Sequence, residues 1–557
     1  PCFMMMEVVG DVLLPYMLAK IINQGIAERN VVYIIKIGAI MGFIAVIMAV
    51  GGVLGAWFAS KAAMNFGADL RMDLFEKIQQ FSFQNIDNFS TGSLITRLTN
   101  DITQIQNMIM MTLRMCLRSP GILIGAMVMA FVISPKLAAI FIIVLPVLAV
   151  LIVVIMRRAF PQFRTLQEKL DALNSCIQEG LVGIRLIKSF VRGDYEEMRF
   201  EKRNQQLKEA NLTAMKTMLL YTPLMTLALN ITTVVVVWSG GNMIVAGNMQ
   251  VGDLTAFTNY IVQIMSSLTM LSIAFLNWAR AIASFRRVGE VLDEKIDLTD
   301  ENAKHKDRAV CEGSVEFQNV SFRYYKNSPE WVIENISFKL EAGKTLGIIG
   351  STGSGKSTLV SMIPRLYDTD EGTVLVDGIN VRDYGLKPLR EGIGMVLQNN
   401  TLFSGSITEN LKWGDEHADE KAVRKAAQNA QAAGFIDSFK DGYRTRLEQS
   451  GNNVSGGQKQ RLCIARALLK CPKILILDDS TSAVDTATER AIREALHSEY
   501  KDMTKIIIAQ RIRSVMDADE ILVLDNGKTA GFGTHEQLLA DCPVYREIYD
   551  VQNGREE

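Results

Sequence analysis

Long apolar segments without a charged residue dominate the first half of this 557-residue sequence. The segment 37–60, for example, has 24 residues and no ionisable side chain. About 20 consecutive apolar residues cross a bilayer as a helix. The apolar segments therefore predict an all-α domain of six membrane-spanning helices within residues 1–292, at 1–23, 37–60, 119–135, 137–156, 217–252 and 254–279. The first residue, Pro1, is followed at once by apolar residues, so we expect the first helix to be truncated at its N-terminus.

The connections between these helices differ in their content of basic residues. Residues 61–118 contain six Lys or Arg and residues 157–216 contain twelve, whereas the short connections carry Arg29, Lys36 and Lys136. Cytoplasmic loops of membrane proteins are enriched in Lys and Arg. We therefore predict that both long loops are cytoplasmic, and that the chain beyond the sixth helix is cytoplasmic as well.

The two basic loops are predicted to be helical extensions of the membrane helices. No proline occurs between Tyr16 and Pro120, so nothing forces the chain to leave the helical conformation there. A helix from about Val31 to Gln80 would be roughly 75 Å long, well beyond the 30 Å of a bilayer. Short breaks at 90–92 and 192–194 mark where each loop is expected to turn back.

The composition changes after residue 292. Residues 293–311 are polar and charged and predict a linker, and in residues 312–557 short apolar strands alternate with helices, which predicts an α/β domain. The predicted strands are 315–322, 346–349, 374–376, 474–477, 506–509 and 521–524. The net charge of −1 argues against a nucleic-acid partner, and the seven cysteines have no metal-ligand spacing.

A glycine-rich loop follows the predicted strand 346–349 and precedes a helix. This order is that of a P-loop, in which backbone N–H groups surround the phosphates of ATP. Lys356 would reach the β and γ oxygens, and the Ser357 hydroxyl would bind Mg²⁺. The nucleotide-binding residues predicted in this loop are Gly350, Ser351, Thr352, Gly353, Ser354, Gly355, Lys356, Ser357 and Thr358.

Two further motifs lie downstream of the P-loop. The apolar run 474–477 ends in Asp478, the position of a Walker B aspartate that holds Mg²⁺. Twenty residues before Asp478 comes a Ser-Gly-Gly-Gln sequence that opens a helix, so its N–H groups could form a second anion-binding site. Its members are Ser455, Gly456, Gly457 and Gln458. Together with the P-loop, this sequence resembles the signature of ABC ATPases, and the resemblance extends over essentially the whole chain.

The resemblance to ABC exporters implies roles for further positions. Tyr324 falls where an aromatic ring stacks on adenine, with the adjacent Tyr325 as the alternative. Gln398 resembles the loop glutamine that contacts Mg²⁺. Residues 482–485 resemble the D-loop at the interface between two ATPase domains, which would place Asp485 close to the reaction. The segments Ser90–Thr99 and Ile184–Phe190 resemble the two coupling helices that press on the ATPase domains.

Two positions depart from the family pattern. A glutamate that polarises the attacking water normally follows the Walker B aspartate, and here that residue is Asp479. A histidine normally contacts the γ-phosphate after the next strand, and here that residue is Gln510. An amide can donate a hydrogen bond to a phosphate but cannot carry a proton charge. The combination resembles the subunit of heterodimeric multidrug exporters whose own ATP site hydrolyses poorly.

These features predict one subunit of an ATP-driven exporter in a bacterial plasma membrane. The resemblance implies ATP and Mg²⁺ as cofactors, a second half-transporter as partner and hydrophobic or amphipathic small molecules as substrates. The alternatives are a homodimeric lipid or peptide exporter and an ATP-gated, channel-type ABC protein. Glu7 and Asp11 lie one helical turn apart in the first membrane segment, where they could contact substrate or bond to a neighbouring helix.

Overall fold

The computed structural model describes residues 2–326, 328–480 and 484–552. The chain divides into two compact units. The first contains Pro1–Ile78 and Gly92–Asp293, and the second contains Gln79–Thr91 and Glu294–Glu557.

The described part of the first unit is built from helices. Six of the helices in the chain's first 292 residues are long and two are short, and they are α1 (Cys2–Lys20), α2 (Val31–Gln79), the short α3 (Phe83–Asn88), α4 (Thr91–Ile133), α5 (Pro135–Val182), the short α6 (Ile184–Ser189), α7 (Gly193–Val245) and α8 (Val251–Leu292). Within the described residues, α2, α4, α5 and α7 are long and apolar enough to cross a membrane. The six long helices confirm the fold predicted for this region.

The helices are much longer than a bilayer is thick. The 49 residues of α2 correspond to about 74 Å at 1.5 Å per residue, more than twice the hydrocarbon thickness. The end of α2 lies one residue from the predicted Gln80. The basic loops are therefore helical extensions of the membrane helices, as predicted, and each is interrupted by one short helix, α3 or α6.

Five of the six long helices, α1, α4, α5, α7 and α8, contribute side chains to one apolar core. Small residues such as Ala126 and Ala130 of α4 are fully buried, which lets neighbouring helices approach closely. Phe141 of α5 stacks on Phe257 of α8 with ring centroids 5.5 Å apart. The buried Tyr260 hydroxyl donates a hydrogen bond to the Val12 carbonyl at 2.8 Å, and so joins α8 to α1.

Both acidic residues of α1 lie against one arginine of α4. The Arg118 guanidinium is 3.0 Å from Glu7 and 3.2 Å from Asp11. Glu7 and Arg118 also line a cavity of about 540 Å³, together with Arg114 and several methionines. Charges at membrane depth are expensive unless they are paired. Of the two interpretations of Glu7 and Asp11, the bond to a neighbouring helix is therefore present, and Glu7 also faces a space large enough for a small ligand.

A buried ion network joins the extensions of α4 and α8. Asp101 is 2% exposed and accepts hydrogen bonds from Ser284 and from the Arg287 Nε, each at 2.8 Å. Arg97, one turn earlier on α4, pairs with Glu290 at 3.1 Å. These bonds tie two helices together over a stretch beyond the apolar runs, where the lipid no longer excludes water.

We predict that Asp101→Ala lowers the unfolding temperature of the purified protein in detergent by several degrees. The substitution removes the acceptor of Ser284 and Arg287, and an orphaned buried partner costs about 1–3 kcal/mol. Glu168→Ala is the matched control, because Glu168 pairs with Arg164 on the surface and both side chains are mostly exposed. Equal unfolding temperatures for the two variants would show that the network does not hold the helices together.

The first short helix lies upstream of its predicted position. The segment Ser90–Thr99 was expected to be a coupling helix, but Thr91 onwards belongs to the long α4, and the separate short helix is α3. The short helix forms earlier because Ser82 is an N-cap: its hydroxyl accepts the Asn85 N–H and the Asn85 side chain accepts the Ser82 N–H. Of the break predicted at 90–92, only Ser90 lies between α3 and α4, since Thr91 and Gly92 belong to α4.

Helix α3 packs within the second unit. The Asp87 carboxylate accepts a hydrogen bond from the Tyr367 hydroxyl at 3.0 Å, and Asn85 donates to the Lys295 carbonyl at 2.9 Å. The second predicted coupling segment, Ile184–Phe190, agrees with α6 and its C-cap, and no residue of α6 is buried.

The described residues of the second unit form three sheets. The strands are β1 (Val315–Phe322), β2 (Ile333–Leu340), β3 (Thr345–Gly350), β4 (Glu371–Val376), β5 (Ile379–Asn380), β6 (Ile393–Val396), β7 (Gly405–Ser406), β8 (Arg446–Leu447), β9 (Ile474–Asp478), β10 (Thr504–Ile508), β11 (Glu520–Asp525) and β12 (Lys528–Gly533). The largest sheet has the order β12-β11-β3-β10-β9-β6, in which all neighbours are parallel except β12, and a four-stranded antiparallel sheet has the order β2-β1-β4-β5.

Helices cover the large sheet, so its central strands are buried on both faces. Every residue of β9 is buried, which explains its uninterrupted apolar sequence. The helices are α9 (Lys356–Ser361), α10 (Leu386–Glu391), α11 (Ile407–Leu411), α12 (Glu420–Asn429), α13 (Ala433–Ser438), α14 (Gly456–Leu469), α15 (Thr486–Glu499), α16 (His535–Asp541) and α17 (Pro543–Gln552). The six strands expected from the sequence are present, as β1, β3, β4, β9, β10 and β11, while β2, β6, β12 and the two-residue strands β5, β7 and β8 were missed.

Candidate functional site

The P-loop joins the end of β3 to the start of α9. Gly353 and Gly355 have φ values of +85° and +90°, which favour glycine. A Cβ at Gly355 would also lie 2.6 Å from the Ile333 side chain, so the loop can pass close to β2 only with glycine there. The sequence therefore shapes a backbone loop around the entrance of a cavity of about 320 Å³.

Lys356 is held inside the P-loop. Its ammonium donates to the carbonyls of Gly350 at 2.9 Å and Ser351 at 2.7 Å, and lies 3.4 Å from the Ser354 hydroxyl. Burial lowers the pKa of Lys356, and the charges of the nearby acidic residues oppose that shift. The ammonium is therefore a desolvated cation in the loop, a suitable partner for phosphate oxygens.

Ser357 and Asp478 come together at the carboxyl ends of the parallel strands. The Ser357 hydroxyl donates to the Asp478 carboxylate at 2.9 Å. Burial raises the pKa of Asp478, and this hydrogen bond opposes the increase. Mg²⁺ prefers oxygen ligands of this kind, so the hydroxyl and carboxylate pair fits the metal expected there.

Asp479 and Gln510 also meet in this cavity. The Gln510 amide donates to the Asp479 carboxylate at 2.8 Å, although the two residues are 31 positions apart in the sequence. Burial raises the pKa of Asp479, against the effect of this hydrogen bond. The two positions that depart from the family pattern are thus direct neighbours.

The structure separates the two tyrosine alternatives. Tyr324 lines the cavity and its hydroxyl is 2.8 Å from the Thr358 hydroxyl, while Tyr325 is 76% exposed and does not line it. Gln398 lines the same cavity from the segment after β6. Of the P-loop residues, Gly350, Ser351 and Ser354 do not line the cavity, but each provides an oxygen atom near the Lys356 ammonium.

The predicted signature residues lie elsewhere on the same unit. Ser455 is the N-cap of α14, and its hydroxyl accepts the Gln458 N–H at 3.3 Å while the Gln458 side chain accepts the Ser455 N–H at 2.9 Å. Gly456 and Gly457 form the first turn. None of these four residues lines the P-loop cavity. Ser455 and Gly456 are exposed, so this helix start is open to another molecule.

Asp485 is the N-cap of α15 and does not line the cavity. Its carboxylate accepts the Thr488 N–H at 3.0 Å and the Thr488 hydroxyl at 2.7 Å, and the backbone bond lowers its pKa. Within the predicted D-loop, Ser482 and Ala483 lie outside the described residues.

Two cavity residues were missed by sequence reasoning. Val332 precedes β2, and Ile508 ends β10. Val332 lies next to β2, a strand that was not predicted from the sequence. Ile508 lies near the carboxyl end of the predicted strand 506–509, two residues before Gln510. Its position in the sequence could therefore have indicated that it lies close to the nucleotide site.

The fold and this cavity define a P-loop ATPase fused to a membrane domain. Comparisons with known proteins identify the family to which the chain belongs. A family model for the ABC transporter transmembrane region matches residues 2–268, and an ABC transporter model matches residues 333–482. The chain is similar to the ABC transporter ATP-binding protein YfiB of Bacillus subtilis, with 40% identity over 99% of this chain and 96% of the relative.

Other relatives carry more specific names. The putative multidrug export ATP-binding/permease protein YgaD of Bacillus subtilis is 35% identical over 89% of this chain and 85% of its own length. The ATP-dependent lipid A-core flippase of Pseudomonas aeruginosa is 33% identical over 94% of this chain and 85% of its own. The fold resembles a bacterial Atm1-family ABC exporter with ATP bound, with a TM-score of 0.82 at 24% identity over 99% of this chain and 97% of that one.

The chain belongs to the ABC transporter family. It is a half-transporter of the exporter type, a multi-pass membrane protein whose cytoplasmic ATPase domain is coupled to transport.

We predict that Tyr324→Ala weakens ATP binding by the purified protein roughly 3- to 10-fold, because a lost ring contact costs about 0.5–1.5 kcal/mol. Tyr324→Phe should retain most of the affinity, since it keeps the ring and loses only the bond to Thr358. Tyr325→Ala is the matched control and should bind ATP normally. A larger loss for Tyr325→Ala than for Tyr324→Ala would assign the adenine contact to Tyr325.

Proposed function

We propose that this chain is one subunit of a heterodimeric exporter of hydrophobic or amphipathic compounds, and that its own ATP site hydrolyses slowly. The proposal rests mainly on Asp479, which stands where the family places glutamate and is hydrogen-bonded to Gln510. The other components of the cavity fit nucleotide binding, so the proposal separates binding ATP from hydrolysing it.

The length of the Asp479 side chain argues for slow hydrolysis. An aspartate is one methylene shorter than glutamate, which withdraws the carboxylate by roughly 1–1.5 Å, and a misplacement of about 1 Å can cost on the order of a hundredfold in rate. Gln510 adds to this effect, because its amide donor is directed at Asp479 and it cannot become a cation near the γ-phosphate.

The binding elements are intact in the same cavity. Lys356 is in place among the P-loop oxygens, and Ser357 and Asp478 would hold Mg²⁺, with Gln398 nearby on the cavity wall. When bound, the metal would neutralise charge on the β- and γ-phosphates. The site is therefore expected to retain ATP even where it does not cleave it.

The exposed signature supports a second ATPase domain as partner. The first turn of α14 presents backbone N–H groups at a helix N-terminus, an arrangement suited to an anion. Because these residues are outside this chain's own cavity, the anion they serve would be a phosphate bound by another P-loop. We assign Ser455, Gly456 and Gly457 to the fast site, completed by the partner.

The region around α6 also supports a partner protein. Leu186 is 63% exposed, Phe190 69% and Val191 88%, at the turn of a basic loop that lies outside the membrane. Apolar side chains clustered in contact with water mark interaction sites. They fit the proposed role of this segment as a coupling helix that presses on an ATPase domain.

The substrate class rests on the membrane cavity and on the relatives. The cavity beside Glu7 and Arg118 is lined by Met4, Met48 and Met270 among others, and flexible thioethers adapt to varied apolar ligands. A homodimeric lipid exporter is the second candidate, since one relative is a lipid A-core flippase. Substrate-stimulated ATPase activity of the reconstituted complex would distinguish the two.

We predict that the chain purified without a partner binds MgATP but hydrolyses it at no more than about one hundredth of the rate of the complete complex, the cost expected of a misplaced carboxylate. Nucleotide binding is measured in parallel to show that the site is folded. Hydrolysis by the isolated chain at the rate of the complex would contradict the heterodimer.

We predict that in the complete complex Gly456→Asp nearly abolishes ATP turnover, whereas Asp479→Asn reduces it by less than about twofold. The new carboxylate would repel the γ-phosphate at the fast site, and electrostatic stabilisation of the transition state usually contributes more to the rate than any other effect. Asp479 belongs to the slow site, which contributes little turnover. If Asp479→Asn proves as damaging as Gly456→Asp, this chain's own site is the catalytic one.

A further inference from the structure

A second large cavity lies on the ATPase unit, away from the P-loop. It has a volume of about 840 Å³ and lies between α15, the residues that begin β10, and residues 513–518. Lys505 pairs in register with Thr345, the first residue of β3, whereas the P-loop follows the end of that strand. Five residues of strand correspond to roughly 17 Å. The two cavities are therefore at opposite edges of the sheet, and they share no lining residue.

Cationic side chains outnumber carboxylates in the lining of this second cavity. It contains four basic residues, namely Arg490, Arg493, Lys505 and Arg513. The two carboxylates in the lining are already paired, because Glu494 is 3.0 Å from the Arg490 guanidinium and Asp517 is 3.3 Å from the Arg493 guanidinium. Lys505 and Arg513 remain as cations without a carboxylate in the lining to neutralise them.

Lys505 is the most unusual of these groups. It is 4% exposed on a central strand of the sheet, yet its ammonium makes no hydrogen bond or ion pair with another described residue. Asp502 and Asp519 influence it only through space, and the Asp519 carboxylate already accepts the Thr345 N–H at 2.8 Å. The Nε of Arg493 is buried without a hydrogen-bond partner, and unpaired buried donors are costly and uncommon. The Lys505 side chain lines the cavity, where a ligand could accept a hydrogen bond from its ammonium.

We propose that this cavity binds a small molecule that carries a phosphate group. The phosphate oxygens would accept hydrogen bonds from Lys505 and Arg493, with Arg513 on the wall beside them. Arginine and lysine together suit a phosphate, which offers several charged acceptors at once. Leu496, Ile507 and Met516 line the remainder of the cavity and would contact the apolar part of the ligand. The volume is in the range of small-molecule sites.

Pyridoxal 5′-phosphate is a suitable probe, because it combines a phosphate with an amine-reactive aldehyde. The neutral Lys505 amine would add to the aldehyde carbon, water would leave, and an imine would form. Sodium borohydride then delivers hydride to the imine carbon and gives a secondary amine, which peptide mass spectrometry locates. Burial lowers the pKa of Lys505 and so increases the neutral fraction that reacts. The experiment uses the full chain in detergent without nucleotide, and the peptide map separates label on Lys505 from label on Lys356 in the P-loop.

We expect Lys505 to be labelled severalfold faster than the exposed Lys501, because burial leaves more of the Lys505 amine neutral and the cavity binds the phosphate of the probe. Millimolar pyrophosphate should slow the labelling of Lys505 severalfold, and citrate at equal ionic strength should not. Arg513→Gln should remove most of the protection by pyrophosphate, while Arg444→Gln, an exposed arginine outside the cavity, should leave it unchanged. Unfolding temperatures of both variants show whether they remain folded.

Three results would overturn the proposal. If Lys505 is labelled no faster than Lys501, the cavity does not bind the probe. Protection by citrate but not by pyrophosphate would make the ligand a carboxylate. Protection of Lys505 by pyrophosphate that is equal in Arg513→Gln and in the unaltered chain would show that the anion binds elsewhere. None of these results depends on whether the P-loop site hydrolyses ATP.

Discussion

The hydrocarbon interior of a membrane offers no water to pair with backbone N–H and C=O groups, and this constraint governs the first half of the chain. A helix satisfies those groups within itself, so each crossing is a continuous helical rod. Once the helices leave the apolar region, no proline or glycine cluster stops them, and α2 continues for 49 residues. The charges that remain at membrane depth are paired between helices, as Glu7 and Asp11 are with Arg118.

The nucleotide site follows from a different constraint, the convergence of parallel strands at one edge of a sheet. β3, β9 and β10 end side by side, and they deliver the P-loop, Asp478 with Asp479, and Gln510 to one cavity. Burial lowers the pKa of Lys356 and raises those of Asp478 and Asp479. The charged form of each group is therefore disfavoured until a nucleotide phosphate and a metal ion bring opposite charges.

The same domain presents two surfaces with separate tasks in the proposed heterodimer. The P-loop cavity holds ATP beside a shortened carboxylate, and the exposed start of α14 offers N–H groups to a phosphate bound elsewhere. A chain of this kind can lose hydrolysis at its own site and still be required for turnover, because its signature completes a site in the partner. The second cavity, at the opposite edge of the sheet, would let a phosphorylated ligand act on the ATPase unit without competing with ATP.

Several features could be predicted from the sequence because they depend on residues that are close together along the chain. The apolar runs predicted six helices, and the absence of proline predicted that α2 continues beyond the membrane. Its expected end near Gln80 lies one residue from the observed end. The P-loop glycines and the run ending in Asp478 indicated the nucleotide site. The local signal was ambiguous elsewhere: the segment Ser90–Thr99 resembled a coupling helix, but the reciprocal hydrogen bonds of Ser82 and Asn85 place a separate short helix earlier.

Only the tertiary structure decided which distant residues meet. The sequence marked Asp479 and Gln510 as separate departures, and their hydrogen bond exists because β9 and β10 are neighbours in the sheet. Tyr324 lines the cavity and Tyr325 does not. Because the two tyrosines are adjacent, the sequence alone could not show which ring faces the nucleotide site. Lys505 lay one residue outside the predicted strand 506–509, and only the folded sheet buries it beside a cavity. Local periodicity determines helices and strands, whereas the pairing of charges depends on packing between segments that the sequence does not place side by side.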